Sequence, residues 1–275
     1  MGTLACVTEQ LKSMPGTQIK VFDKIVQVIE VLATSSHGVT LKEVQDASGL
    51  NKGTAFRILR SLESHNLAAK SPDGTYSVGN RILWWASSHR HSPDLSRLVR
   101  PRLEKLRDLT SETVVFNLLI GDRSVVVEQA TSFHATSTRF HLGDSAPLYA
   151  GATGRVILAH LDPERRIRLL GQRLERFTER TITDRKRLER ELSRCMAQGF
   201  AFSEGERLYN TSSMAAPVFG PQRRILGALA VSGPSERFTP EKRKSIILLL
   251  LRETRLLTGQ LESPALAERR AVGAR

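Results

Sequence analysis

Residues 21–79 carry three helix patterns and one hairpin signal in close succession, and this order leaves few folds open. The first pattern, VFDKIVQVIEVLA, places five apolar residues on one face of a helix: Val21, Ile25, Val28, Ile29 and Leu32. The sequence SSHGV then interrupts the helix. The first element of the fold is therefore predicted to be an amphipathic helix.

Helix-capping residues mark the next two helices. Thr40 is predicted to cap LKEVQDAS, and Glu43 completes a capping box three residues later. Gly49 ends that helix at the C′ position, and Asn51 caps the third helix, NKGTAFRILRSLE. A short helix, a glycine-containing turn and a further helix are typical of a helix-turn-helix.

Two short extended runs follow in LAAKSPDGTYSVG, around Asp73-Gly74. An Asp-Gly pair between strands predicts a hairpin closed by a type I′ turn. Three helices and a hairpin together predict a winged helix-turn-helix over residues 20–79. A linker helix is expected at 80–93, a flexible arm at 1–19 and a disordered tail at 261–275.

Residues 94–260 are predicted to form an α+β domain. A helix runs from Asp94 to Thr110, with Leu95, Leu98, Leu103 and Leu106 as its apolar positions. Six β-branched or alternating runs are typical of a largely antiparallel sheet: ETVVFNLLI, RSVVVEQA, TSTRFHL, FAFSEGE, SSMAAPVFG and ILGALAVSG. Helices are predicted at GATGRVILAHL, PERRIRLLGQRLERF, TDRKRLERELSRCMAQG and, with Pro240 as its first residue, PEKRKSIILLLLRETRLLTGQL.

The charge balance narrows the choice of partner. The 275 residues carry a formal net charge of +13, which favours a polyanion such as nucleic acid or an anionic membrane surface. The alternative is a basic composition without functional meaning. The 2 cysteines form no disulfide framework, and no stretch is long and apolar enough for a leader or a membrane span. We therefore expect a cytoplasmic protein that has no membrane partner.

The third helix presents an unusual outer face. Its inner stripe consists of Ala55, Ile58, Leu59 and Leu62. The outer residues are the candidates for DNA contact, joined by one residue of the wing: Lys52, Gly53, Thr54, Phe56, Arg57, Arg60 and Lys70. Such a face suits the major groove, with arginines for guanine edges or phosphates, and Thr54 and the first-turn amides for phosphate. An ordinary basic surface is the alternative interpretation.

The chain resembles the IclR family of bacterial transcription regulators. The first domain carries the resemblance through VTLKEVQDASGLNKGTAFRILRSLESHNLAAKSPDGTYSVGNRIL. The second carries it through RPRLEKLRDLTSETVVFNLLIGDRSVVVEQ, LYAGATGRVILAHL and MAAPVFGPQRRILGALAVSGP. The resemblance implies a winged helix that reads a palindromic operator in double-stranded DNA, a linker helix, and an effector-binding domain of GAF-like topology. It also implies homodimers, often paired into dimers of dimers.

The resemblance also implies an effector site. The family's effector-lining positions match Phe140, Leu142, Ala152, Thr153, Ser203, Thr211, Ser213, Ala230 and Ser232. Strand alternation places Thr211 with Ser213, Ala230 with Ser232, and Phe140 with Leu142. Many members have cysteine at position 213 and serine at 230, so a less polar effector is expected here. Ordinary strand residues that bond the backbone are the alternative interpretation.

Catalysis, a cofactor and a metal are not indicated. The segment GATGRV fails the spacing of a phosphate-binding loop, and no nucleophile elbow, zinc-protease or paired-cysteine motif occurs.

The opening of the helix at Ala152-Thr153-Gly154 offers free amides and a positive dipole end, which suits a small carboxylate effector. A ligand-responsive regulator is therefore predicted, and a protein-binding adaptor is the alternative. The resemblance implies that Trp84 or Trp85 packs in a dimer contact of the linker helices, and packing under the wing is the alternative interpretation.

Overall fold

The computed structural model describes residues 19–35, 37–82, 84–85 and 93–262, and it divides between residues 92 and 93 into two compact units. The predicted arm at 1–19 lies outside the described residues except for Ile19, as does the tail from residue 263 onward and most of the predicted linker. Residues 81, 82, 84 and 85 are helical.

The N-terminal unit contains the predicted winged helix-turn-helix. Its elements are α1 (Lys20–Thr34), α2 (Leu41–Ser48), α3 (Lys52–Ser64), β1 (Ala68–Lys70) and β2 (Tyr76–Val78). The two strands are antiparallel, and Val39 pairs with Tyr76 beside them. One core joins the three helices to this small sheet, so the unit has an apolar core of its own.

The apolar face of α1 differs in part from the prediction. Val28 and Leu32 are buried, and Val31 joins them although the helical pattern did not place it inward. Val21 is 58% exposed, so its assignment to the buried face was wrong. The reason is that the buried residues of α1 all lie in its second half, and a repeating pattern does not reveal how far packing partners extend along a helix.

The predicted caps are confirmed. The Thr40 hydroxyl accepts from the Glu43 amide at 3.3 Å, and the Glu43 carboxylate accepts from the Thr40 amide at 2.7 Å. Gly49 adopts φ +67°, the left-handed conformation expected at this helix end. Asn51 Oδ1 accepts from the Thr54 amide at 2.9 Å, so the turn between α2 and α3 is fixed at both sides.

The wing forms as a hairpin, but its turn differs from the predicted type. Gly74 has φ +89°, whereas Asp73 stays outside the left-handed region that a type I′ turn requires at both central residues. The amide of Gly74 instead bonds the carbonyl of Ser71 at 3.0 Å, with Pro72 and Asp73 between them. Proline presets the backbone for the first central position of a type I turn, and it overrides the Asp-Gly signal.

The second unit is an α+β domain around one six-stranded antiparallel sheet. Its strands are β3 (Thr113–Ile120), β4 (Arg123–Ala130), β5 (Ser145–Pro147), β6 (Ala201–Glu204), β7 (Thr211–Phe219) and β8 (Ile225–Pro234), in the order β5-β4-β3-β8-β7-β6. Its helices are α4 (Pro93–Thr110), α5 (Gly151–Ala159), α6 (Pro163–Gly171), α7 (Arg185–Gln198) and α8 (Pro240–Leu261). Pro240 is the first residue of α8, as predicted.

The sheet separates two apolar cores. One contains residues of α5, α6 and α7 together with Ala215 and Ala230, and the other contains residues of α4 and α8 together with Leu229 and Val231. Alternation along β8 therefore places Ala230 opposite Leu229 and Val231, as predicted.

Two predicted elements of this unit were wrong. The segment TSTRFHL, residues 136–142, forms no strand, because the edge position beside β4 is taken by the later residues 145–147. The helix predicted over PERRIRLLGQRLERF ends at Gly171. Beyond it, the Tyr149 hydroxyl accepts from the Glu175 amide at 2.7 Å and donates to the Glu175 carbonyl at 3.0 Å, which holds that segment in an extended path.

Candidate nucleic-acid interface and effector site

The outer face of α3 is exposed as the sequence predicts. Ala55, Ile58, Leu59 and Leu62 are buried against the rest of the unit. On the other side lie the exposed residues Lys52, Gly53, Phe56, Arg57 and Arg60, with Thr54 half-buried. Phe56 is 45% exposed, an unusual position for an aromatic ring on a helix whose apolar side is already packed.

The two arginines of α3 differ in their surroundings. Arg60 forms an ion pair with Glu63 at 3.0 Å, one helical turn further on. The Arg57 side chain makes no hydrogen bond or ion pair with any residue in the described part of the chain. A phosphate or a guanine edge therefore competes with an existing carboxylate at Arg60 but not at Arg57.

The first turn of α3 is less open than predicted. The Thr54 amide is already bound by Asn51 Oδ1 at 2.9 Å and contacts the Asn51 carbonyl at 3.1 Å, so the expectation that this amide is free for phosphate was wrong. Gly53 is open, since a Cβ added there would meet only Asn51 Oδ1, at 3.8 Å. The absent side chain therefore leaves room above the helix start.

Lys70 lies at the end of β1 on the wing. Its Nζ is 5.5 Å from the ring centre of the buried Tyr76, a cation–π distance. At the tip, Asp73 accepts from the amide and the hydroxyl of Thr75 at 3.1 and 2.8 Å, and the first of these bonds lowers the pKa of Asp73. Lys70 is thus held beside an ordered loop.

A cavity of about 60 Å³ lies in the second unit between the sheet and the start of α5. Seven of the nine predicted effector positions line it: Phe140, Ala152, Thr153, Ser203, Thr211, Ser213 and Ser232. The other two do not. Leu142 is 54% exposed, and Ala230 is fully buried in the core between Val115 and Ala215.

Three serines form a row across the sheet beside this cavity. Ser203, Ser213 and Ser232 are register partners on β6, β7 and β8. The Ser232 hydroxyl donates to that of Ser213 at 2.8 Å, and the Ser203 hydroxyl accepts from the Ala152 amide at 3.0 Å. The row therefore presents a polar strip across three neighbouring strands.

The start of α5 is partly occupied by side chains, and the prediction of a free amide was wrong for Ala152, which the Ser203 hydroxyl already binds. Glu206 accepts from the Gly151 amide at 3.2 Å and forms a buried ion pair with Arg155. Arg155 also donates to the Phe202 carbonyl. Because Glu206 and Ser203 bind the amides of Gly151 and Ala152, these two amides are not free for an anionic ligand.

Arg207 supplies a cation beside the cavity. Its side chain passes over Gly151, where an added Cβ would lie 3.4 Å from the Arg207 Cδ. Arg207 is exposed as a whole residue, but desolvation of its guanidinium by neighbouring atoms and the nearby Arg123 lower its pKa, while Asp144 acts in the opposite direction. Arginine nevertheless stays protonated at neutral pH. The described residues include no ion-pair partner of Arg207, so a carboxylate can take that place.

Sequence reasoning missed four polar residues that line the cavity: Asn117, Ser124, Glu206 and Arg207. Two of these are buried and lack a hydrogen bond in the described structure, since Asn117 Oδ1 and Ser124 Oγ have no partner. The sequence could have indicated Asn117, because it is the only side-chain amide in the strongly apolar run TVVFNLLI.

Three further observations concern predicted features. Among the residues that the structure describes, no group of three or more histidine, cysteine or acidic side chains is placed to hold a metal. Within the same residues, no helix is long and apolar enough to cross a membrane.

Trp84 and Trp85 are 65% and 48% exposed, and the Arg81 guanidinium lies 5.7 Å from the Trp85 ring centre.

Comparison with known proteins gives matches over both units. Residues 21–72 match the IclR helix-turn-helix domain, and residues 88–256 match the C-terminal domain of bacterial transcriptional regulators of the IclR type. The HTH-type transcriptional regulator Rv1719 of Mycobacterium tuberculosis is 32% identical, over 80% of this chain and 84% of its own length.

Solved structures agree with this assignment. An IclR transcriptional regulator from Silicibacter matches with a TM-score of 0.81 and 26% identity, covering 89% of this chain and 98% of its own. An IclR homologue from Microbacterium hydrocarbonoxydans, crystallised with 4-hydroxybenzoate, has the same fold, with a TM-score of 0.68 and 20% identity over 88% of this chain and 98% of its own. The chain therefore belongs to the IclR family of bacterial transcriptional regulators, with an N-terminal DNA-binding domain and a C-terminal effector-binding domain.

Proposed function

We propose that this regulator binds a palindromic operator as a homodimer or a dimer of dimers, and that a small carboxylic acid in the cavity changes its affinity for DNA. The observation that carries the DNA part is the exposed face of α3, where Arg57, Arg60 and Lys52 surround Phe56 and no acid precedes Glu63. Its site of action is then the cytoplasm, where operator DNA lies.

Within this interface we assign base reading to Arg57 and a supporting phosphate contact to Arg60. Arg57 has no protein partner in the described chain, whereas Arg60 is paired with Glu63. A bidentate contact from arginine to guanine discriminates by about 1–3 kcal/mol. Lys52, Gly53, Thr54, Phe56 and Lys70 complete the proposed contact surface.

The test is fluorescence anisotropy of the full chain with DNA from its own upstream intergenic region, across a salt series. Specific binding should weaken as salt rises, because counterions are released from DNA. Arg57→Ala should reduce specific affinity by about 1–3 kcal/mol, while Arg187→Ala, which removes an equal charge from an exposed position on α7, should not. Undiminished binding by an Arg57/Arg60 double alanine variant contradicts the assignment of α3 as the recognition helix.

The effector part rests on the cavity and its cation. Phe140, Ala152, Thr153, Ser203, Thr211, Ser213 and Ser232 surround a space closed on one side by Arg207. We assign the acid to Arg207, because the amides of Gly151 and Ala152 at the start of α5 are already bound by Glu206 and Ser203. We assign no direct contact with the acid to the other two predicted positions. Leu142 is exposed at the surface, and Ala230 is buried in the packing of β8.

A thermal-shift screen of small organic acids tests the site. A bound acid stabilises the folded chain by mass action. This shift should disappear in Ser213→Phe, which fills the cavity, and weaken in Arg207→Ala, which removes the cation. A shift that persists unchanged in both variants places the ligand elsewhere.

The chain is proposed to act without catalysis. The homologues that match it are named as regulators. Burial raises the pKa of the Cys195 thiol to about 11, so this side chain remains protonated and unreactive at neutral pH.

A further inference from the structure

Two buried polar side-chain atoms at the cavity wall lack a hydrogen-bond partner: one belongs to Asn117 on β3 and the other to Ser124 on β4. Asn117 is 5% exposed and Ser124 is 2% exposed. Asn117 Oδ1 and Ser124 Oγ make no hydrogen bond within the described structure. A buried polar group without a hydrogen-bond partner lowers the stability of the folded protein. Such atoms in a cavity wall therefore indicate a ligand that carries a polar group to bond them.

The register of the sheet brings these two side chains to the same place. Asn117 pairs with Val126, and Ser124 lies two residues from Val126 on the same strand. They are therefore diagonal neighbours on one face, about 7–8 Å apart at the backbone, and one small group between them can contact both.

The same register separates them from the serine row. Ser232 pairs with Thr113, four residues before Asn117 on β3, which corresponds to about 13 Å along a strand. Val115 lies between these two positions on the same face of β3 and also lines the cavity. Asn117 and Ser124 thus form a separate polar contact point within the cavity.

The donor and acceptor capacities of these two atoms determine which ligand group can form a hydrogen bond with both. An amide oxygen only accepts, and a serine hydroxyl both donates and accepts. An ionised carboxylate has no proton to give to Asn117 Oδ1, whereas a hydroxyl donates to Asn117 and accepts from Ser124. We propose that Asn117 and Ser124 recognise a hydroxyl group on the effector, so that the effector class is a hydroxy acid rather than a simple acid.

This inference rests on the proposed effector function, and matched ligands test the two separately. The probes are two pairs of acids that differ by one hydroxyl: 4-hydroxybutyrate with butyrate, and 4-hydroxybenzoate with benzoate. Calorimetric titration of the full chain should give tighter binding of the hydroxy acid in at least one pair, by about 10- to 100-fold, because the parent acid leaves both buried groups unpaired.

Variants then locate the effect. Ser124→Ala and Asn117→Ala should bring the ratio close to one by weakening only the hydroxy acid. The matched control is Ser212→Ala, since Ser212 is equally buried but its hydroxyl bonds Ser235 at 3.0 Å and lies outside the cavity. That variant should keep the ratio of the unchanged protein.

The unliganded variants give a second readout that does not depend on binding. Ser124→Ala should keep or raise the melting temperature, because it removes a buried hydroxyl that lacks a partner, whereas Ser212→Ala should lower it. A comparable fall in both variants means that a bound water already satisfies Ser124, and it overturns the proposal.

The remaining outcomes are equally decisive. Equal affinity for both members of each pair, with binding abolished by Ser213→Phe, overturns the hydroxyl assignment and leaves the effector site standing. A preference that survives in a variant carrying both Asn117→Ala and Ser124→Ala moves recognition to other residues and also overturns the hydroxyl assignment. Absence of binding by all four acids contradicts the proposed acid effector itself and removes the basis of the inference.

Discussion

The buried ion pair between Arg155 and Glu206 offers a sharp test of what holds the cavity together. The side chains are 2% and 7% exposed, and Glu206 also accepts from the Gly151 amide at the start of α5. Replacing Glu206 by Gln keeps the volume and an acceptor oxygen but removes the charge. The guanidinium of Arg155 then stays buried with no opposite charge beside it.

The expected cost follows from that burial. Breaking a buried pair by removing one partner costs about 3–5 kcal/mol. For a domain of this size, about 1 kcal/mol shifts the melting temperature by about 2–4 °C, so Glu206→Gln should lower the transition of the second unit by about 6–20 °C. Circular dichroism, with heat or urea, measures this change.

The chain offers a matched control two residues away. Glu204 pairs with Arg180, but those side chains are 42% and 64% exposed, and an exposed pair contributes about 0–1 kcal/mol. Glu204→Gln should therefore leave the transition nearly unchanged. Equal shifts in the two variants would refute the reasoning. A double change, Arg155→Met with Glu206→Leu, should recover much of the loss because no buried charge remains.

Three further predictions concern packing, pH and capping. Gly154→Ala should lower the melting temperature, because its Cβ would lie 2.8 Å from the Leu148 carbonyl oxygen, whereas Gly171→Ala meets nothing within 4 Å and should not. Burial would raise the pKa of Glu112, but Arg237 and Lys242 outweigh it and lower the pKa below 4.5. The stabilisation that ionised Glu112 provides is present above pH 4.5 and is lost as the pH falls through its lowered pKa. The stability of Glu112→Gln should therefore depend less on pH in acid unfolding. Thr40→Ala should destabilise the first unit by about 1 kcal/mol in urea unfolding.

Local chemistry predicted the first unit well because its signals act over a few residues. The capping box of Thr40 and Glu43 and the left-handed Gly49 depend only on neighbours within one helical turn. The wing turn shows the limit of such signals, since Pro72 and Asp73-Gly74 favour different turns and only the backbone as a whole decides between them.

The cavity was predictable only in part, for a different reason. Alternation along β7 and β8 correctly places Thr211, Ser213 and Ser232 toward one face. It cannot show that Glu206, from the loop beyond β6, reaches the start of α5, because that contact joins residues 55 positions apart. The unpaired atoms of Asn117 and Ser124 likewise follow from three-dimensional packing and have no counterpart in a periodic pattern.

The two outermost strands of the large sheet have a consequence for how copies of this chain meet. β5 has 3 residues, ending in Pro147, and β6 has 4 residues. Short edges that include a proline give another strand few backbone groups to bond, which protects a sheet against uncontrolled edge-to-edge growth. Copies of this chain that come together at high local concentration, as the proposed dimer would on DNA, therefore find few free backbone groups at the sheet edges, and aggregation through strand pairing should be slow.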